Sequence, residues 1–193
     1  MRGAKKYKRD ELLDKAIELF RRQGYAGAST AELVEALGVN RKSMYAEFGA
    51  KQDLFEAALK KYSEDNLTRV LAPIEAPDAD AASIRAALSG YASAIDGRFR
   101  GLGCLMANTA VERAALDPAS AEFVDAYFAR LTAGFRNALG NAQAAGDLGA
   151  ETDLDDLAAF FTMTVFGISA MIRANAPAKL VHAASRAATD ILD

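Results

Sequence analysis

The 193-residue chain has a single cysteine and a single histidine. One cysteine excludes a disulfide framework within the chain and fits a reducing compartment. No ligand set with metal-binding spacing occurs, and neither H-E-x-x-H nor G-x-x-x-x-G-K-[ST] is present. No metal and no cofactor is therefore expected. His182 sits in VHAAS on the last expected helix and reads as a surface or interface residue rather than a partner for Cys104. The carboxylates of ETDLDD, residues 151–156, read as helix N-terminal charges that complement the dipole. These absences argue against an enzyme. Also missing are a strand-like alternation, an internal repeat and a long hydrophobic run. The longest apolar-rich stretch, Leu157 to Ile172, is interrupted by Thr162, Thr164 and Ser169, is shorter than the ~20 residues of a membrane span, and is expected to be a buried helix. The N-terminus MRGAKKYKRDELLDK lacks an apolar core followed by a cleavage site. The expectation is a cytoplasmic protein with no membrane partner.

What is present is ordinary for a globular chain, 51% hydrophobic and 25% charged, and long enough to bury a proper core. The charge is unevenly placed. Residues 1–62 carry 13 Lys/Arg against 9 Asp/Glu, whereas the remainder carries 10 against 17. A basic head on an acidic body suits a polyanion partner for the head alone. Two domains are expected, 1–62 and 63–193.

The periodicity is helical throughout. In RDELLDKAIELFRRQG, Leu13, Ala16, Ile17 and Phe20 share one face, with Asp10 as expected N-cap and Gly24 as stop. Ser29 and Glu32 have the spacing of a capping box at the start of a second helix, which Gly38 can end in a left-handed conformation. Asn40 caps a short third helix, about Arg41 to Phe48. Lys51 opens a fourth, with Leu54, Phe55, Ala58, Leu59 and Tyr62 on its apolar stripe. APIEAPDADAAS, residues 72–83, reads as a boundary loop. Beyond it, helices are expected near 83–100, 104–115, 119–145, 154–174 and 178–192, so the fold class is all-α: a helix-turn-helix head and a larger helical body.

The second helix, a three-residue turn and the third helix form a helix-turn-helix candidate. An α-helix fits the major groove of B-DNA with its first residues at the base edges. Arg41 and Lys42 then face the duplex, where Arg can pair in bidentate fashion with guanine. Ser43 permits close approach and can bond a phosphate or base. Met44 and Phe48 anchor the helix from below, and Tyr45 offers its hydroxyl outward. Lys51 combines its charge with the positive end of a helix dipole, which suits a phosphate. KKYKR, residues 5–9, is either a groove-tracking arm or a solvated terminus.

From Asp10 to Tyr62, LLDKAIELFRRQGYAGASTAELVEALGV followed by NRKSMYAEFGAKQDLFEAAL resembles the DNA-binding domain of TetR-family transcriptional regulators. Tyr45-x-x-Phe48-Gly49-x-Lys51-x-x-Leu54 is the most specific part of that likeness. The resemblance implies a two-domain helical homodimer that binds a palindromic operator, expected to be a repressor, with a varied effector-binding domain. It also implies that Thr30, Tyr45 and Lys51 touch phosphates while Arg41, Lys42 and Ser43 lie at the groove. Glu47, where the family often has histidine, and Ala50, where Ser or Asn commonly caps helix four, depart from the pattern. Glu47 is expected either to contact cytosine or to point away.

The acidic body is expected to hold an apolar effector and to dimerise. Candidate pocket residues are Tyr91, Phe99, Cys104, Met106, Asn108, Tyr127, Phe128, Phe160 and Met163, each also compatible with plain core. The helices at 154–174 and 178–192 resemble the family's dimeric four-helix interface, with Phe161, Val165, Ser169 and Ile172 as expected contacts. Cys104 follows two glycines and neighbours Arg98 and Arg100, which would favour a reactive thiolate. Its GCL-x-x-N-x-A-x-E segment resembles the NemR-like branch, in which such a cysteine can sense electrophiles or oxidants; an inert buried thiol is the alternative. A DNA binder regulated by a partner, or purely architectural and without a small-molecule effector, is the competing reading of the whole.

Overall fold

A computed structural model of the chain describes the backbone of residues 2–112 and 118–193, and the side chains of these ranges from Arg9 onward. Among the described residues all regular structure is helical: α1 (Arg2–Gly27), α2 (Thr30–Leu37), α3 (Arg41–Phe48), α4 (Lys51–Tyr62), α5 (Thr68–Glu75), α6 (Ala81–Ser93), α7 (Leu105–Val111), α8 (Pro118–Ala145), α9 (Leu154–Arg173) and α10 (Ala178–Thr189). The all-α expectation holds. The end of the helix expected at 104–115, and the Asp117 before Pro118, lie outside the described residues.

Two compact units divide the chain. One comprises Met1–Asn66 with Leu105–Val124, the other Leu67–Cys104 with Asp125–Asp193. The first unit is thus assembled from two stretches, not from 1–62 alone. Its α7 buries Leu105, Met106, Ala107, Asn108 and Thr109. Asn108 Nδ2 donates to the Arg21 carbonyl at 3.2 Å, and Gln52 Nε2 donates to Ser120 Oγ at 2.8 Å.

Within this unit α1 buries Leu13, Ala16, Ile17 and Phe20, the face expected from their spacing. The helix begins at Arg2, so Asp10 is an interior residue rather than a cap. No proline interrupts residues 2–9, and their Lys and Arg are good helix formers. Of KKYKR only the Arg9 side chain is described; those of residues 5–8 lie outside the described set. At Gly24 the backbone turns to φ 79°, ψ 174°, which ends the regular run. Ser29 and Glu32 form the capping box in both directions: Glu32 N donates to Ser29 Oγ at 3.2 Å and Ser29 N to Glu32 Oε2 at 2.9 Å. Asn40 Oδ1 accepts from Ser43 N at 2.8 Å and caps α3, whose Met44 and Phe48 are buried. Ala50 has no capping side chain, so Asp53 reaches back to accept its N–H at 2.6 Å. The core centres on Phe20 and Phe55, edge to face at 4.8 Å.

In the second unit the boundary loop is shorter than expected. A π turn, Ser63–Leu67, leads from α4 into α5, which runs to Glu75 with Pro73 inside it. The remaining link is fastened by α8: Asn137 Nδ2 donates to the Ala76 carbonyl and Asn141 Nδ2 to those of Pro77 and Ala79, all within 2.9 Å. Gly134 lets α8 approach α5 closely, because a Cβ there would lie 3.0 Å from two Ile74 side-chain carbons. Helix α6 ends at Ser93 rather than near 100, giving way to turns before Gly101 at φ 76°. Leu71, Ile74, Ile84, Leu88, Leu131, Phe135, Phe161 and Val165 fill the interior. Each such side chain contributes about 1.5–3 kcal/mol of transfer free energy.

Helix α9 bears on two expectations. It is 20 residues long, so by length and composition alone it matches a membrane span. Yet it is capped by Asp153, and Thr162 Oγ1 is satisfied by the Ala158 carbonyl at 2.9 Å and by Thr132 at 3.0 Å. The other concerns the expected dimer contacts. Phe161, Val165, Ser169 and Ile172 are 0%, 0%, 2% and 3% exposed, turned into their own unit. Their three-and-four spacing marks the core face. On the outward face of α9 and α10 stand Met163 and Leu180, 65% and 51% exposed.

Candidate nucleic-acid interface

The three expected groove residues are exposed together on α3. Arg41, Lys42 and Ser43 occupy its first turn, which the Asn40 cap holds in register, while Met44 and Phe48 fasten the opposite face. Tyr45 is 39% exposed. Its hydroxyl is 3.5 Å from Arg41 Nη2, and the Arg41 guanidinium lies 5.6 Å from the ring centroid. Arg41 and then Thr30 hold the Tyr45 phenol below its ordinary value of 10.0, since both favour the phenolate. Thr30 and Arg41 therefore both neighbour the Tyr45 hydroxyl, across the start of α2 and α3.

Lys51 is the first residue of α4 and half-buried. Its ammonium sits 4.5 Å over the ring of Tyr25. Partial burial lowers its pKa, and the nearby carboxylates of Glu112 and Glu32 oppose that shift. Tyr25 is itself packed on Phe55 at 4.7 Å. The contributions of Tyr25 and Glu112 are invisible in sequence order: one follows a helix-ending glycine, the other lies more than sixty residues beyond Lys51. Glu47 points away from the first turn of α3 and pairs with Arg9 at 3.0 Å.

The nine expected effector residues fall in both units. Tyr91, Phe99, Cys104, Tyr127, Phe128, Phe160 and Met163 belong to the second unit, whereas Met106 and Asn108 lie on α7 in the first. Asn108 is used in packing against α1. Phe128 and Met163 line a surface groove of about 310 Å³ with Thr132, Ala159, Thr162 and Phe166. Phe160 packs edge-on against Phe161 at 5.4 Å. Phe99 carries the Arg98 guanidinium 4.8 Å above it. The interior set is Tyr91, Tyr127 and Cys104. Cys104 is 7% exposed and Tyr127 1%. The Tyr91 hydroxyl is buried, and that burial, with Cys104 next, raises its pKa while Tyr127 pulls the other way. Arg100, expected to support a thiolate, donates through Nε to Asn175 Oδ1 at 2.8 Å.

Residues 12–58 match the model of bacterial regulatory proteins of the tetR family, and residues 81–188, more than half the chain, match the tetracyclin repressor-like C-terminal domain. The chain belongs to the TetR family. The HTH-type transcriptional repressor ComR of Escherichia coli (strain K12) is 33% identical, over 89% of this chain and 82% of ComR. YezE of Bacillus subtilis (strain 168), an HTH-type transcriptional regulator, is 31% identical over 86% of both chains. A cysteine-substituted CifR, a TetR-family regulator solved with 26-base-pair operator DNA, is 29% identical with a TM-score of 0.79, covering 94% of this chain and 95% of CifR. The TetR chain is thus a DNA-binding transcriptional regulator with an N-terminal helix-turn-helix and a helical C-terminal domain. The narrower NemR-like branch is not confirmed, since the likeness to E. coli NemR is one of fold alone.

Proposed function

We propose that the chain is a cytoplasmic, dimeric repressor without catalytic activity, which places α3 in the major groove of each half of a palindromic operator. The supporting observation is the single exposed face formed by Arg41, Lys42 and Ser43, flanked by the Thr30–Arg41–Tyr45 set and by Lys51 at a helix N-terminus. In this reading Arg41 and Lys42 meet base edges, and Thr30, Tyr45 and Lys51 hold phosphates. Two copies read half-sites about 34–36 Å apart, and pairing the heads makes binding tight where one head is weak. The outward faces of α9 and α10, with Met163 and Leu180, supply the dimer contact.

Release is assigned to the second unit. A small apolar ligand reaching the Tyr91, Tyr127 and Cys104 interior, or alkylation of Cys104 with its thiol proton passing to solvent, shifts the spacing of the two heads. Selection of genomic fragments by the purified protein tests the DNA half: recovered sites share a palindrome. Titrating that site in the presence of a metabolite and electrophile panel tests the effector half, and Cys104→Ser separates ligand from thiol chemistry. A chain that keeps its site under every compound is the partner-regulated binder instead.

A further inference from the structure

Glu112, one of the carboxylates near Lys51, stands at the end of α7 in the first unit. Its Oε2 accepts a hydrogen bond from the Ala26 backbone N–H at 2.9 Å. The carboxylate fills the space beside Gly24: a Cβ at that glycine would collide with it. Gly24 is also at φ 79°, where a side chain is strained in any case. One carboxylate therefore fixes the turn Gly24–Ala26 from the side of α7. Between those two residues lies Tyr25, whose ring supports the Lys51 ammonium at 4.5 Å and packs on Phe55 at 4.7 Å.

We propose that Glu112 is a positioning residue for the operator contact of Lys51, clamping the turn that carries the ring on which the ammonium rests. This rests on the assignment of Lys51 to a phosphate. The argument is one of geometry and chemistry. Lys51 is a long, flexible side chain, and holding it for a phosphate requires that its rotamer freedom be removed before DNA arrives. Tyr25 does so only if its own backbone is fixed, and Tyr25 follows a glycine, the least restrained residue type. The hydrogen bond from Ala26 to a carboxylate is charge-assisted and supplies that restraint. The same carboxylate, with Glu32, favours the charged form of Lys51 against its partial burial. α7 is held to α1 a second time by Asn108 on the Arg21 carbonyl, so Glu112 is presented from an anchored helix.

The test compares Glu112→Ala with Glu112→Gln in operator titrations. Both variants remove a negative charge near DNA, which by itself tightens binding, so the ratio of their affinities isolates the hydrogen bond that Gln can still accept. The expected result is that Glu112→Ala binds the operator roughly 3-fold or more weakly than Glu112→Gln. In a Lys51→Ala background the ratio is expected to fall to about one, because the clamp then has nothing to position. Equal affinities of the two variants in the native background would overturn the proposal, even if Glu112→Ala melts earlier. A ratio that persists without Lys51 would overturn the route through Tyr25 and Lys51. If Lys51→Ala alone leaves operator affinity unchanged, the phosphate assignment itself fails, and the proposal with it.

Discussion

Arg9 Nη1 donates to Glu47 Oε1 at 3.0 Å and to the Glu47 carbonyl at 3.1 Å, while its guanidinium lies 4.7 Å above the ring of Phe48. The pair fastens the end of α3 to α1 and engages the Glu47 carboxylate away from the first turn of α3. Glu47→Gln is therefore expected to leave the base preference of selected sites unchanged. Both side chains are partly exposed, so a double-mutant cycle of Arg9→Ala and Glu47→Ala should give a coupling of about 0.5–1 kcal/mol in denaturant unfolding. A changed preference at a cytosine position would place Glu47 in the groove after all.

Arg41→Ala and Lys42→Ala should each cost about 1–3 kcal/mol of operator affinity and relax preference at one base pair, measured by anisotropy on a panel of single-substituted sites. Lys51→Ala should weaken all duplexes alike and reduce the magnitude of the slope of log K against log salt by about 1. Identical behaviour of all three variants would mean that base-reading and phosphate-holding residues have been wrongly sorted.

Glu32 gives a pH dependence with a definite sign. Ser29, first through its side chain and then its backbone, followed by Gln23, holds the Glu32 pKa below its ordinary value of 4.5. A carboxylate lowered in the folded state binds its proton more readily when unfolded, so its stabilisation is fully present above about pH 4.5 and fades as pH falls through the lowered value. Melting temperature should therefore fall less steeply between about pH 5 and pH 3 in Glu32→Gln than in the native protein. Parallel curves would contradict this role of the capping box.

The helix-turn-helix was legible because its signals are local. Ser29 with Glu32, Gly38, and Asn40 with Ser43 each satisfy backbone donors or bend the chain within a few residues, so spacing alone locates the elements. The Thr30–Arg41–Tyr45 set was visible residue by residue but not as a set, since it depends on how α2 and α3 pack. Glu112 carries no such local signal; its partner is a backbone N–H 86 residues away in sequence. The expected dimer contacts turn on a different point. Period alone shows that α9 has an apolar face, and α9 has apolar residues on two faces. Only packing shows that Phe161 and Val165 look inward while Met163 looks out.

That distinction is testable. Met163→Asp and Leu180→Asp should shift the monomer–dimer equilibrium towards monomer in sedimentation experiments while the melting of the isolated chain changes little. Phe161→Ala should instead cost about 3–5 kcal/mol of folding stability, as expected for a large side chain removed from a closed interior. Dimers unaffected by both charged substitutions would put the interface elsewhere.

The central claim is that the first turn of α3 reads duplex DNA from a paired chain. It is tested most directly by anisotropy titration of a selected palindromic duplex against a scrambled one of equal length, with the native protein and with Arg41→Ala/Lys42→Ala. The account predicts that the native protein prefers the palindrome, with two chains per duplex, and that the double substitution abolishes the preference while residual salt-sensitive binding survives. A native protein that binds both duplexes equally, or a variant that keeps the full preference, would contradict it.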